Sequence, residues 1–150
     1  MVAWSTLPFE ALDTRTLYDL LRLRTDVFVV EQQCPYLELD DRDRTALHVL
    51  GRDADRRVVA YARILPPDAE GLPVVGRVVV QADRRGTGLG HALMREVLTA
   101  LRAHYGRVSS RMSAQAHLEA FYAAHGYRAQ GTVFDLDGIP HIAMRLSAPA

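Results

Sequence analysis

The chain has no lysine: every one of its 18 Lys+Arg residues is arginine. That absence excludes a Schiff-base lysine, a lysine nucleophile and the lysine of a Gly-Lys-Ser/Thr phosphate loop. Cysteine is scarce as well. A lone Cys34 closes no internal disulfide, the usage expected of a reducing cytoplasm, and it reads as structural. Net charge is missing too, because 18 acidic residues balance the arginines. A neutral chain argues against bulk binding to nucleic acid or a membrane surface. No apolar run approaches the ~18 residues of a membrane span. The first thirty residues carry Glu10, Asp13, Arg15, Asp19 and Arg22 rather than an apolar leader. The 6 histidines show no metal-ligand spacing, so no metal is expected. These absences describe a cytoplasmic protein that uses neither nucleic acid nor membrane.

What is present suits a globular domain. Hydrophobic residues make up 49% and charged residues 24% of 150 residues, enough for one core and a single domain over residues 1–150. Residues 2–7 read as a first strand. Asp13 is a candidate N-cap for a helix over 14–30, where Leu17, Leu20, Leu21, Arg24, Val27 and Phe28 follow helical spacing. Residues 37–45 read as a solvated acidic loop holding Asp40, Asp41 and Asp43. Strands are expected at 46–52 and 58–65 around an Asp53–Arg56 turn, and at 73–80. An amphipathic helix follows at 88–105, a strand at 107–113, a short helix at 118–125, and strands at 127–134 and 140–146. The order β α β β β α β α β β predicts an α/β (α+β) fold. Its mixed, mostly antiparallel sheet has six to seven strands, with helices on both faces.

Residues 74–91 carry the chemistry. A β-branched strand gives way to Arg84 and Arg85, then to Gly86, Gly88 and Gly90 at the start of a helix. Exposed amides at a helix N-terminus, with nearby cations, favour a phosphate. A P-loop is excluded by the missing lysine. A dinucleotide fingerprint fails because the third glycine comes one residue early and the next strand ends Arg111-Met112-Ser113-Ala114-Gln115, without a carboxylate.

The remaining pattern, Arg85-x-x-Gly88-x-Gly90 after a strand, resembles the acetyl-CoA loop of the GNAT N-acetyltransferases. The segment from Gln115 to Tyr127, with Phe121-Tyr122 and Gly126-Tyr127, is similar to the GNAT fifth strand and following helix. Residues 24–36, Ala60–Leu65, Gly76–Val78, Ala114–His117 and Asp137–His141 resemble the ElaA-like branch of that superfamily. The resemblance implies an N-acetyltransferase that moves an acetyl group from acetyl-CoA to a primary amine of a small molecule or peptide. Attack would be direct, through a tetrahedral intermediate.

By that resemblance, Arg85, Gly86, Thr87, Gly88, Leu89 and Gly90 bind the CoA pyrophosphate. Val78, Val79 and Val80 line the pantetheine arm as an added strand would, and Gln115 donates to it. Tyr122 matches the residue that protonates the departing thiolate. Glu31 is a candidate base or ligand for a cationic amine. His117 and His141 are candidates on the acceptor side. Arg63 and Arg77 face either a groove or solvent. A homodimer is left open. Two other readings stay open as well: an acyl-homoserine-lactone synthase, suggested by Val27-Phe28-Val29-Val30-Glu31, and a CoA-binding sensor module without catalysis.

Overall fold

The computed structural model describes residues 1–147; residues 148–150, the end of the expected 1–150 domain, lie outside the described residues. The elements run β1 (Ala3–Pro8), α1 (Thr14–Thr25), β2 (Leu47–Arg52), β3 (Val58–Leu65), β4 (Val74–Val80), α2 (Leu89–Tyr105), β5 (Ser110–Gln115), α3 (Glu119–Ala123), β6 (Arg128–Leu136) and β7 (Ile139–Leu146). This is the expected order. A single seven-stranded sheet joins the strands as β1-β2-β3-β4-β5-β7-β6. Every neighbouring pair is antiparallel except β4 and β5.

The sheet is packed on both faces because its strands alternate. Ala60, Ala62 and Ile64 of β3 face the buried side of α2, where Leu93, Met94, Val97, Ala100 and Leu101 lie. Tyr61 faces the other way, against Leu20, Leu23 and Val27 of the first helical region. Asp13 caps α1 as expected, its Oδ1 accepting from the Thr16 amide at 2.7 Å. The helical region then loosens. Asp26–Glu31 forms a π-helical turn rather than the regular helix expected to residue 30, a form that recurs at functional sites.

Two irregularities open the sheet at its centre. β4 and β5 share only the Val74↔Arg111 pair before diverging, so beyond it the β5-side edge of β4 has no strand partner among the described residues. β4 also bulges. Tyr61 pairs with Val79 and Arg63 with Gly76, which leaves one residue on β3 against two on β4. The extra residue is Arg77, whose φ is 53°. The bulge resets the alternation: Val75 packs toward α2, whereas Val79, four residues on, packs toward α1.

Candidate active site

The gap between β4 and β5 holds two pockets that meet. One, a groove of about 510 Å³, is lined by Val78–Val80, Arg85, Gly86, Gly88 and Gly90, with Glu31 and His117. The other, of about 320 Å³, is lined by Arg63, Gly76, Arg77, Ser113, Asp137 and His141. Phe28, Gln32, Val78, Gln115, Leu118 and Tyr122 line both.

The glycine loop has the geometry of an anion cradle. Gly86 and Gly88 adopt φ of 77° and 84°, backbone that a Cβ would strain. Gly88 N-caps α2 and no side chain caps that helix, so its first amides keep no side-chain partner. Gly90 has no such backbone demand, and a Cβ there would come into ordinary contact with Phe121 at 3.4 Å. Of the two arginines expected to face phosphate, Arg84 is spent elsewhere, donating to Asp53 in the β2–β3 turn at 2.8 Å. Arg85 reaches across the groove and binds Glu31 through both terminal nitrogens, at 2.7 and 3.1 Å. Thr87 turns its hydroxyl back onto the Arg84 carbonyl.

Glu31 therefore stands with Arg85 at the groove and does not line the smaller pocket. Tyr122 sits at the junction, 5% exposed, edge-on to Phe121 and Tyr127. Burial pushes its phenol well above the ordinary tyrosine range, and the neighbouring Tyr127 adds to that. Gln115 and Gln32 exchange side-chain amides at 3.3–3.4 Å across the two pockets. His141 lines the smaller pocket and is held through Nδ1 to the Ile139 carbonyl at 2.7 Å. His117 is exposed on the groove side, in a single 3₁₀ turn at Ala116–Leu118 that precedes α3.

The acidic loop at 37–45 departs most from expectation. It is not a solvated face: Glu38 and Asp43 are each 6% exposed. Arg24, fully buried on the apolar side of α1, donates to Asp43 at 2.7 Å and to Glu38 at 2.9 Å. Arg63 binds Asp40 through both terminal nitrogens and reaches Asp43 at 3.1 Å. Arg77 pairs with Glu38 and reaches Asp40. The guanidinium groups, Arg63 foremost, hold the Asp40 carboxyl well below the usual range; at Asp43 burial acts to raise the pKa, but Arg24 and Arg63 outweigh it and lower it. Arg63 and Arg77 thus face the smaller pocket, settling the choice the sequence left open. The signal for this network was present: an arginine at an apolar helix position needs a buried partner.

Comparison with known proteins agrees with the fold. A family model described as an acetyltransferase (GNAT) domain matches residues 23–148. The chain belongs to the GNAT acetyltransferase family. Its sequence places it further, in the ElaA-like branch: it is 44% identical over 147 residues to Protein ElaA of Escherichia coli, covering 96% of this chain and 95% of that one. An acyl-CoA N-acyltransferase structure from Pseudomonas aeruginosa superposes with a TM-score of 0.92 at 42% identity, covering 98% of this chain and 100% of that one. A CoA-dependent acyl-homoserine lactone synthase, BjaI, shares the fold with a TM-score of 0.75 at 20% identity, covering 97% of this chain and 82% of that one. Among the described residues, no group of three or more His, Cys, Asp or Glu could hold a metal ion, and no helix is long and apolar enough to cross a membrane.

Proposed function

We propose that this chain is an N-acetyltransferase that takes its acetyl group from acetyl-CoA and passes it to a primary amine by direct attack. The observation that carries the reading is the unpaired edge of β4, which runs from the glycine loop to the point where the two pockets meet. In this reading the amides of Gly86, Thr87, Gly88, Leu89 and Gly90, with Arg85, hold the pyrophosphate at the positive end of α2. Val78, Val79 and Val80 offer the pantetheine arm an edge without a strand partner, the Val80 carbonyl accepting from Arg85 Nε at 3.3 Å, and a main-chain N–H of this strand donates to the thioester carbonyl as charge builds on it. Gln115 donates to the same arm. The acceptor amine enters from the smaller pocket, where His141 stands, while His117 stands on the groove side.

Tyr122 donates the proton to the departing thiolate. A phenol is protonated at neutral pH, and its place at the junction of the two pockets brings it to both reactants. Glu31 is assigned chiefly to Arg85: the ion pair holds the guanidinium over the groove until phosphate oxygens compete for it. A base role for Glu31 requires the pair to open first. In a cytoplasmic setting the balanced charge and the two small pockets favour a small acceptor over a nucleic acid or a membrane.

Incubation with acetyl-CoA and a panel of amines, read as free thiol and acetylated product, tests the proposal. Amine-dependent thiol release supports it. CoA binding with no turnover of any amine would favour a sensor module, and transfer only onto S-adenosylmethionine would favour a lactone synthase.

A further inference from the structure

The smaller pocket is built with more donors than the protein itself uses. Arg63 is 3% exposed, yet its Nε–H has no hydrogen-bond partner among the described residues. A buried donor left unpaired is costly and calls for an acceptor. Directly across the ladder from Arg63 stands Gly76, and a Cβ there would meet nothing within 4 Å. Cross-strand partners lie close together on one face, so the missing side chain leaves a hollow beside Arg63. The bulge then brings Arg77 to the same place, since both arginines reach the Asp40 carboxylate. Arg77 spends Nε and Nη2 on Glu38 and Asp40, and its Nη1 has no partner among the described residues. Arg42, exposed on the rim, has no side-chain partner among them either.

The carboxylates at this pocket are otherwise engaged. Glu38, Asp40 and Asp43 are each held by two arginines. The other carboxylate lining it, Asp137, lies on the exposed β6–β7 turn. Arg42, Arg63 and Arg77 line this one pocket with Gly76, and their unspent guanidinium donors suit a planar anion with two oxygens.

The geometry points to an acceptor that carries a carboxylate: an amino-acid-sized molecule whose amine faces Tyr122 and whose carboxylate lies over Gly76, taken by Arg63 Nε, Arg77 Nη1 and Arg42. This deepens the acetyltransferase reading and rests on it. A volume of about 320 Å³ suits one amino acid rather than a folded peptide segment. Arg63 and Arg77 act as binding residues, and the Glu38–Asp40–Asp43 carboxylates position them.

The test compares acceptors sharing one side chain: the free amino acid, its carboxamide, the decarboxylated amine, and a dipeptide ending in that amino acid. Turnover is read as thiol release at saturating acetyl-CoA. Because amine basicity differs across the set, binding of the N-acetyl amino acid and the N-acetyl carboxamide is compared by calorimetry in parallel. The free amino acid is expected to exceed the carboxamide and the amine about 10- to 100-fold in kcat/KM, as for a buried charge-assisted pair, with the same order in binding. Gly76→Ala puts a methyl group into the hollow without straining the backbone. It is expected to reduce the preference below about twofold while leaving CoA affinity intact. Equal use of the uncharged amines, or a preference that survives Gly76→Ala, would overturn the inference and leave the acetyltransferase reading standing. Preference for the dipeptide would overturn the assigned size. If no amine is acetylated, both readings fall.

Discussion

Arg24 and Arg22 lie two residues apart on α1, and the account predicts very different costs for losing them. Arg22 meets Asp26 at 3.8 Å in an exposed i,i+4 pair, with side chains 73% and 62% exposed. Arg24 is fully buried, holds Glu38 and Asp43, and sits 5.5 Å over the Tyr61 ring. Arg22→Ala removes a solvent-screened pair and is expected to cost no more than about 0.5 kcal/mol. Arg24→Ala leaves two buried carboxylates one cation short, a change in the range of about 3–5 kcal/mol. At this chain length about 1 kcal/mol moves Tm by about 2–4 °C, so Arg24→Ala is expected to melt roughly 6–20 °C lower. Differential scanning calorimetry of the two variants beside the parent checks it. Half-molar salt should leave the gap in place, since buried pairs are poorly screened. Equal Tm losses in the two variants, or a loss below about 3 °C for Arg24→Ala, would refute the claim that the loop is anchored by buried charge.

Tyr122→Phe keeps the packing and removes the proton, so kcat should fall about 100-fold while CoA affinity, read by calorimetry, stays within about twofold. Glu31→Gln releases Arg85 and should tighten CoA binding a few-fold; a kcat loss beyond about 100-fold with unchanged CoA affinity would instead make Glu31 the base. Gly88→Ala forces a side chain onto backbone at φ of 84° and should cost about 1–2 kcal/mol in urea unfolding, with weaker CoA binding. Stability should also fall in acid. Asp40 and Asp43 have lowered native pKa values, so what they contribute is fully present above the unfolded value near about 3.9 and is lost as pH falls below it. Urea midpoints at pH 7, 4 and 3 read that slope, which Asp43→Asn should flatten.

The order of elements was legible because period and punctuation agree. Asp13 caps α1, β-branched runs mark β3 and β4, and the apolar side of α2 reads directly from Leu93, Val97 and Leu101. The glycine loop was legible for the same reason, since positive φ at Gly86 and Gly88 leaves a compositional mark. What stayed hidden depends on tertiary pairing. The π-helical turn at Asp26–Glu31 has no signature in helical spacing. The bulge at Arg77 exists only relative to β3. Asp40 and Asp43 read as solvated charge because their partners, Arg24 and Arg63, are about twenty residues away in sequence. Arg84 and Arg85 looked equivalent, and only the fold gives Arg84 to Asp53 and Arg85 to the groove.

The central claim is that the groove along β4 holds the acyl donor. Titration of acetyl-CoA into the chain by calorimetry tests it most directly. The account predicts one site per chain, with affinity reduced about tenfold or more by Arg85→Ala and only slightly by Arg84→Ala, whose guanidinium already belongs to Asp53. No binding heat at millimolar acetyl-CoA, or equal losses from the two substitutions, would contradict it.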